Sequence, residues 1–206
     1  MPTSTAAPPA RLFLFAPGAG APSTSAWMQA WRARLGPLGT VVPFDYGYMK
    51  AGRKTPDRLP TLIAAHAAAL ASARERTSGP VILVGKSMGS RIGCHLSLET
   101  PVSGLVCLGY PLVAASSGAV RDEVLLALTT PILFVQGTRD PLCPLDRLAP
   151  VRAKMIARNE LHVVEGGNHS LEISGGKATR PAQAVSDAAV LTAIEAFVSS
   201  LSSLST

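Results

Sequence analysis

Apolar residues in this chain come in short, mostly unbroken runs separated by longer stretches of helical period. Residues 11–16, 40–44, 81–84, 104–108, 131–136 and 160–164 each read as a strand of four to six residues. Between them, residues 26–35, 57–76, 88–99, 120–128, 145–157 and 185–201 have the spacing of helices. In the second, Leu59, Leu62, Ile63 and His66 share a side; in the fifth, Leu148, Val151 and Met155 share one. The last repeats Leu191, Ile194, Val198 and Leu201 at helical intervals. Strands that are apolar along their whole length, and that alternate with helices, belong in a parallel sheet covered on both faces. The predicted fold class is therefore α/β: a three-layer α/β/α sandwich with a mostly parallel sheet of about six strands. Ligands in such sheets bind at the carboxyl ends of the strands.

Length and composition narrow this further. A chain of 206 residues with 47% hydrophobic content is enough for one large core, so residues 11–206 are expected to form a single domain. Residues 1–10, rich in Pro and Ala, read as a loose tail, and residues 172–184 as a surface loop. The early apolar run 12–16 is too short for a signal peptide or a membrane span, and no later stretch reaches spanning length uninterrupted. A soluble, cytoplasmic protein with no membrane partner is the expectation. The formal charge is +6, yet the cations are scattered and only 5% of residues are aromatic, which speaks against nucleic acid as a partner. Cys94, Cys107 and Cys143 lack metal-ligand spacing, and all three read as buried thiols, although Cys143 lies in a loop-like segment near a candidate acid. No metal and no cofactor is expected.

The chemistry centres on Val81-Ile82-Leu83-Val84-Gly85-Lys86-Ser87-Met88-Gly89, a buried strand running into Gly-x-Ser-x-Gly and then a helix. That is the form of a nucleophile elbow, in which a serine sits on a strained turn and flanking glycines relieve crowding. Gly85-Lys86-Ser87 also ends like a phosphate-binding loop, but the preceding glycine, Gly79, is one residue too distant and the residues between form a strand. Two turns downstream give the elbow its meaning. Asp140 comes after the fifth strand, in Gly-Thr-Arg-Asp-Pro, and His169 after the last, in Gly-Gly-Asn-His-Ser. Serine, acid and histidine in that chain order, each on a loop at the carboxyl edge, are the parts of a catalytic triad. Of the other histidines, His66 precedes the serine, His95 lies eight residues into the helix, and His162 lies within a strand. An oxyanion hole needs two backbone donors. Met88, next to the serine, and Ala19, in the Pro17-Gly18-Ala19-Gly20 loop after the first strand, are the candidates.

With the elbow and these two turns, the segments Pro17–Gly20, Phe44–Met49, Gly109–Leu112 and Phe134–Asp140 resemble the α/β-hydrolase superfamily over nearly the whole chain. More narrowly they resemble its small dienelactone-hydrolase-like branch, which includes testis-expressed hydrolase-like proteins and a regulatory subunit of a histone-acetyltransferase complex. The resemblance implies a minimal, lidless version of the fold. The superfamily's first two strands are missing, and Pro17 stands where a histidine is common. About twenty residues separate the fourth and fifth strands, too few for a lid domain. It also implies a serine hydrolase acting on a small-molecule ester or thioester. The alternative is an interaction module of the same fold with a vestigial site. Gly18, Asp45, Tyr46, Tyr48 and Lys86 are the candidate pocket residues. Oligomeric state is not legible.

Overall fold

In the computed structural model, residues 11–175 and 179–201 are described; the predicted tail at 1–10 lies outside them. The strands are β1 (Leu12–Ala16), β2 (Thr40–Pro43), β3 (Val81–Lys86), β4 (Gly104–Leu108), β5 (Ile132–Gly137) and β6 (Asn159–Val164). They form one sheet in the order β2-β1-β3-β4-β5-β6, and every adjacent pair is parallel. The sheet is thus wholly parallel, and six strands is the number the pattern predicts.

Strand composition follows from position. The four inner strands are buried at every residue, so both parities of side chain must be apolar. Leu12, Leu14, Leu83, Cys107 and Phe134 project to one face, against α3 (Leu59–Arg74), α4 (Met88–Ser97), α5 (Glu123–Ala127) and α6 (Leu145–Lys154). Phe13, Phe15, Ile82, Val84, Val106 and Val135 project to the other, against α1 (Ala26–Leu35) and α7 (Arg180–Leu201). Each fully buried aromatic or branched side chain contributes on the order of 2–3 kcal/mol by leaving water. From β1 the chain turns outward to β2, then crosses back to β3 on the other side. The carboxyl ends of β1 and β3 therefore border the crevice where the winding reverses.

Several boundaries differ from expectation. The segment after β2, for which no element is predicted, contains a short helix, α2 (Gly47–Lys50), and buries Tyr46 and Tyr48. α3 starts at Leu59, not Asp57; Asp57 instead pairs with Arg53 at 2.7 Å. Val120 bridges Val113 rather than starting a helix, and α6 ends at Lys154, with Met155 extended. Residues 172–184 are not simply a loop, because α7 begins at Arg180. Gln183 accepts from the Ile173 N–H at 2.7 Å and donates to the Leu171 carbonyl at 3.0 Å, tying the approach to the helix; residues 176–178 are not among those described. α7 reaches membrane-spanning length, though Asp187 and Glu195 interrupt its apolar run. It is 22 residues long with mean hydropathy 1.5, because alanines fill its outer side, and by length and composition alone it would pass as a span. Its Val190, Ile194, Phe197 and Val198 pack on the sheet. Asp187 of α7 pairs with Arg34 of α1 at 2.6 Å.

Candidate active site

Ser87 comes directly after β3 and has φ +49°, ψ −113°, one of two non-glycine residues with positive φ among those described. An L-residue there is strained, and the surroundings explain why it holds. A Cβ on Gly85 would lie 2.2 Å from the Ser90 nitrogen, and one on Gly89 would lie 2.6 Å from the Ala16 carbonyl oxygen. Gly85 thus lets the strand end meet the first turn of α4, and Gly89 lets α4 lie against the end of β1. Ser90 locks the turn by donating its hydroxyl to the Gly85 carbonyl at 2.5 Å.

The acid and histidine turns are built as a unit. A Cβ on Gly137 would stand 2.2 Å from the Gly167 carbonyl oxygen, so the end of β5 admits the 166–168 turn only as glycine. The Arg139 N–H donates to Gly167 O at 2.9 Å, and the Gly166 N–H to the Thr138 hydroxyl at 2.8 Å. Asn168 shapes the histidine turn by accepting from the N–H groups of Ser170 (2.7 Å) and Glu172 (3.0 Å). His169 then stands with Nδ1 2.8 Å from Asp140 Oδ2 and Nε2 2.8 Å from Ser87 Oγ. A carboxylate only accepts, so Nδ1 carries the proton and Nε2 is left to accept from the serine hydroxyl.

Asp140 is 3% exposed, and a buried carboxylate must be hydrogen-bonded to stay charged. Its Oδ1 accepts from the Leu142 N–H at 2.8 Å, and its Oδ2 accepts from Gln136 Nε2 as well as from His169. Gln136 is fully buried, and its Oε1 accepts from the Tyr110 N–H at 2.9 Å, which fixes which end of the amide faces the acid. Sequence reasoning missed Gln136. The signal available was a lone polar side chain closing an otherwise apolar strand. Cys143 is buried, as the other two cysteines are, and burial together with the charge of Asp140 pushes its thiol up to about 12.

Lys86, a candidate pocket residue, supports the histidine turn instead. It is almost fully buried, donates from Nζ to the His169 carbonyl, and stands 5.5 Å above the Trp27 ring. Burial pushes it down to about 8, against the opposing pull of Asp140 and Glu172. Trp27 Nε1 donates to the Ser170 carbonyl at 2.8 Å, so α1 and β3 together grip the two residues that present the imidazole. Gly109 (φ +69°) completes the fit, since a Cβ there would come within 2.5 Å of the His169 carbonyl oxygen.

The remaining candidates divide. Gly18 abuts the elbow: a Cβ on it would be 3.5 Å from Ser87 Cβ. Ala19 lies beside it, and Tyr48 donates its hydroxyl to the Ala19 carbonyl at 3.0 Å, so Tyr48 supports the loop rather than walling a pocket. Asp45 likewise holds that loop, accepting from the Ser23 N–H (2.7 Å) and hydroxyl (3.0 Å). Tyr46 is a correction: it is 0% exposed and packs with Leu62 and Ile92, 3.3 Å from His66 Nδ1. Neither the Met88 nor the Ala19 N–H donates to a protein acceptor among the described residues. Those residues contain no cluster of His, Cys, Asp or Glu suited to a metal.

A family model described as an alpha/beta hydrolase domain matches residues 9–199. The chain belongs to the alpha/beta hydrolase family. Solved structures agree on the fold. An alpha-beta serine hydrolase homologue from Coxiella burnetii is 19% identical with a TM-score of 0.65, covering 78% of this chain and 76% of its own. Alpha/beta hydrolase domain-containing protein 10 from mouse is 17% identical with a TM-score of 0.64, covering 92% and 90%. Est1E from Butyrivibrio proteoclasticus is 13% identical with a TM-score of 0.62, covering 90% and 88%.

Proposed function

We propose that this hydrolase is a serine esterase or thioesterase, acting on a small substrate through an acyl-enzyme. The observation that carries the reading is the unbroken relay from Ser87 Oγ through His169 to the enclosed Asp140, with 2.8 Å at each step. In this mechanism His169 Nε2 takes the serine proton as Oγ attacks the substrate carbonyl. Asp140 holds the tautomer and stabilises the imidazolium. The N–H groups of Met88 and Ala19 receive the oxyanion, which is the use that unpaired donors beside a nucleophile support. His169 then protonates the leaving oxygen or sulfur. A water, deprotonated by the same nitrogen, attacks the acyl-enzyme and releases the acid. The resemblance of the Pro17–Gly20, Phe44–Met49, Gly109–Leu112 and Phe134–Asp140 segments to the dienelactone-hydrolase-like branch supports a small substrate at an open site, and the reading is of a cytoplasmic enzyme.

A fluorophosphonate probe tests this. Labelling of the folded wild type that disappears in Ser87→Ala is expected. Wild type that is folded and stays unlabelled would instead identify an interaction module on a hydrolase scaffold.

A further inference from the structure

Five buried side-chain polar atoms lack a hydrogen-bond partner among the described residues: His66 Nε2, Arg91 Nε, His95 Nε2, Tyr110 Oη and Arg121 Nε. Buried polar atoms are nearly always satisfied, so each exception asks for a reason. His66 lies apart from the rest, against Phe44 and with the Tyr46 hydroxyl 3.3 Å from its Nδ1. The other four act on one another electrostatically, near where α5 packs on α4, and Arg121 and Tyr110 belong to the segment that leads into α5.

The groups are close enough to feel one another. Arg121 is lowered from its usual value by burial and then by the Arg91 charge, and His95 is lowered by the same two causes in the same order. Burial keeps Tyr110 as the neutral phenol; the buried Cys94 and Cys107 act in the same direction, and both guanidiniums act against it. Arg121 donates from Nη2 to the carbonyls of Pro111 (2.9 Å) and Val113 (3.2 Å), which fixes its plane. Arg91 makes no side-chain hydrogen bond among the described residues, and no carboxylate there lies within ion-pair distance of either arginine. Glu123 acts on Arg121 and His95 from farther away. Two cations crowded together, with a buried hydroxyl and no counter-ion, form a donor set short of one acceptor.

The position relative to Ser87 is also defined. The Arg91 N–H donates to the Ser87 carbonyl at 3.2 Å, so Arg91 stands one turn into α4. Side chains on a helix lean back towards its N-terminus, here towards the elbow. We propose that the seam between α4 and residues 110–123 binds a small oxyanion, a carboxylate or phosphate group, held by Arg91, Arg121 and the Tyr110 hydroxyl. The oxyanion is either the far end of an acidic acyl group seated on Ser87 or a free anion; the first source rests on the proposed esterase reading, and the second does not.

Calorimetric titration of the full chain with inorganic phosphate and with succinate tests the site. It is repeated on Ser87→Ala, so that failure of hydrolysis leaves the binding result standing. Saturable binding is expected, weakened about tenfold by Arg91→Met and about tenfold by Tyr110→Phe, the effect of one lost charge-assisted bond. Tyr110→Phe removes no internal hydrogen bond, which keeps the test open if an arginine variant fails to fold. The source is read from the ratio of kcat/KM for 4-nitrophenyl hemisuccinate to that for 4-nitrophenyl acetate. If the anion is carried by the substrate, the ratio falls about tenfold in Arg91→Met. If the anion is free, the ratio holds and the phosphate titration alone responds. Wild type that binds neither anion, or binds them no better than Arg91→Met and Tyr110→Phe do, overturns the proposal.

Discussion

The first and second turns of α4 are built on opposite principles. At the first, every polar group of the Ser87 relay has a protein partner: serine to imidazole, imidazole to carboxylate, carboxylate to Gln136 and to a backbone N–H. One turn later, Arg91 and His95 meet Tyr110 and Arg121, and each keeps a buried atom unpaired. A network completed internally has its geometry set before anything binds. A network short of an acceptor sets only the chemistry of the ligand that completes it. The two therefore differ in which variants should harm them.

The largest effects belong to the completed turn. Ser87→Ala or His169→Ala should lower kcat at least about a thousandfold while thermal unfolding stays near wild type, because a relay fails as a unit. Asp140→Asn should cost about 10^4-fold, since an amide in place of the carboxylate favours the wrong imidazole tautomer. Steady-state hydrolysis of 4-nitrophenyl acetate reads both. Losses of only a few-fold would mean that the 2.8 Å contacts are structural rather than chemical.

Next in size is a test of how the strained serine is held. Gly85→Ala pushes a methyl to 2.2 Å from the Ser90 nitrogen, which is backbone and cannot step aside. A loss of about 3 kcal/mol or more in chemical denaturation is expected, together with loss of activity. Gly20→Ala meets nothing within 4 Å and should stay within about 0.5 kcal/mol. Equal outcomes at the two positions would show that the glycines of the elbow serve only chain flexibility.

A third test separates the two kinds of orphan. His66 has an unpaired Nε2, but apolar surroundings rather than cations hold it, and burial pushes it down to about 3. Below its usual value near 6.5 the unfolded chain takes up a proton that the folded chain refuses. Stability should therefore be fully present above about pH 6.5 and should fall by several kcal/mol as pH drops towards 3. His66→Gln should flatten that limb in urea titrations run at successive pH values. A limb that persists in the variant would assign acid sensitivity to other groups.

Legibility in the sequence divides along the same line. The unbroken apolar runs specified the four inner strands, because a strand covered on both faces has no polar parity to hide, and sheet order within α/β topology leaves little freedom. Ser87, Asp140 and His169 were legible because each ends a strand in a turn of distinctive residues. Their supports were not. Gln136 reads as one more strand residue, and Lys86 as a pocket residue, until packing places them beside Asp140 and the His169 carbonyl. Tyr46 and Tyr48 come after a strand end, as pocket residues do, but a four-residue helix turns both inward. The α4 seam left no trace at all, since Arg91 and Arg121 are thirty residues apart and meet only through the fold.

The smallest expected effect is the sharpest probe of the contrast. Tyr110 and Gln136 are both fully buried, and Tyr110 donates its backbone N–H to Gln136. Gln136→Leu removes a side chain whose two ends are both bonded, stranding the Tyr110 N–H and one side of Asp140. That should cost about 2–3 kcal/mol and lower activity with it. Tyr110→Phe removes only a hydroxyl without a partner and keeps the ring that packs edge-on against Phe134 at 5.8 Å. Its stability in anion-free buffer should change by less than about 0.5 kcal/mol, or rise, because an unmade hydrogen bond is no loss when its donor is deleted. Added phosphate should then stabilise wild type more than Tyr110→Phe, by the ordinary linkage of binding to folding. A large loss in Tyr110→Phe without any anion would mean that the second turn of α4 is completed from within, like the first.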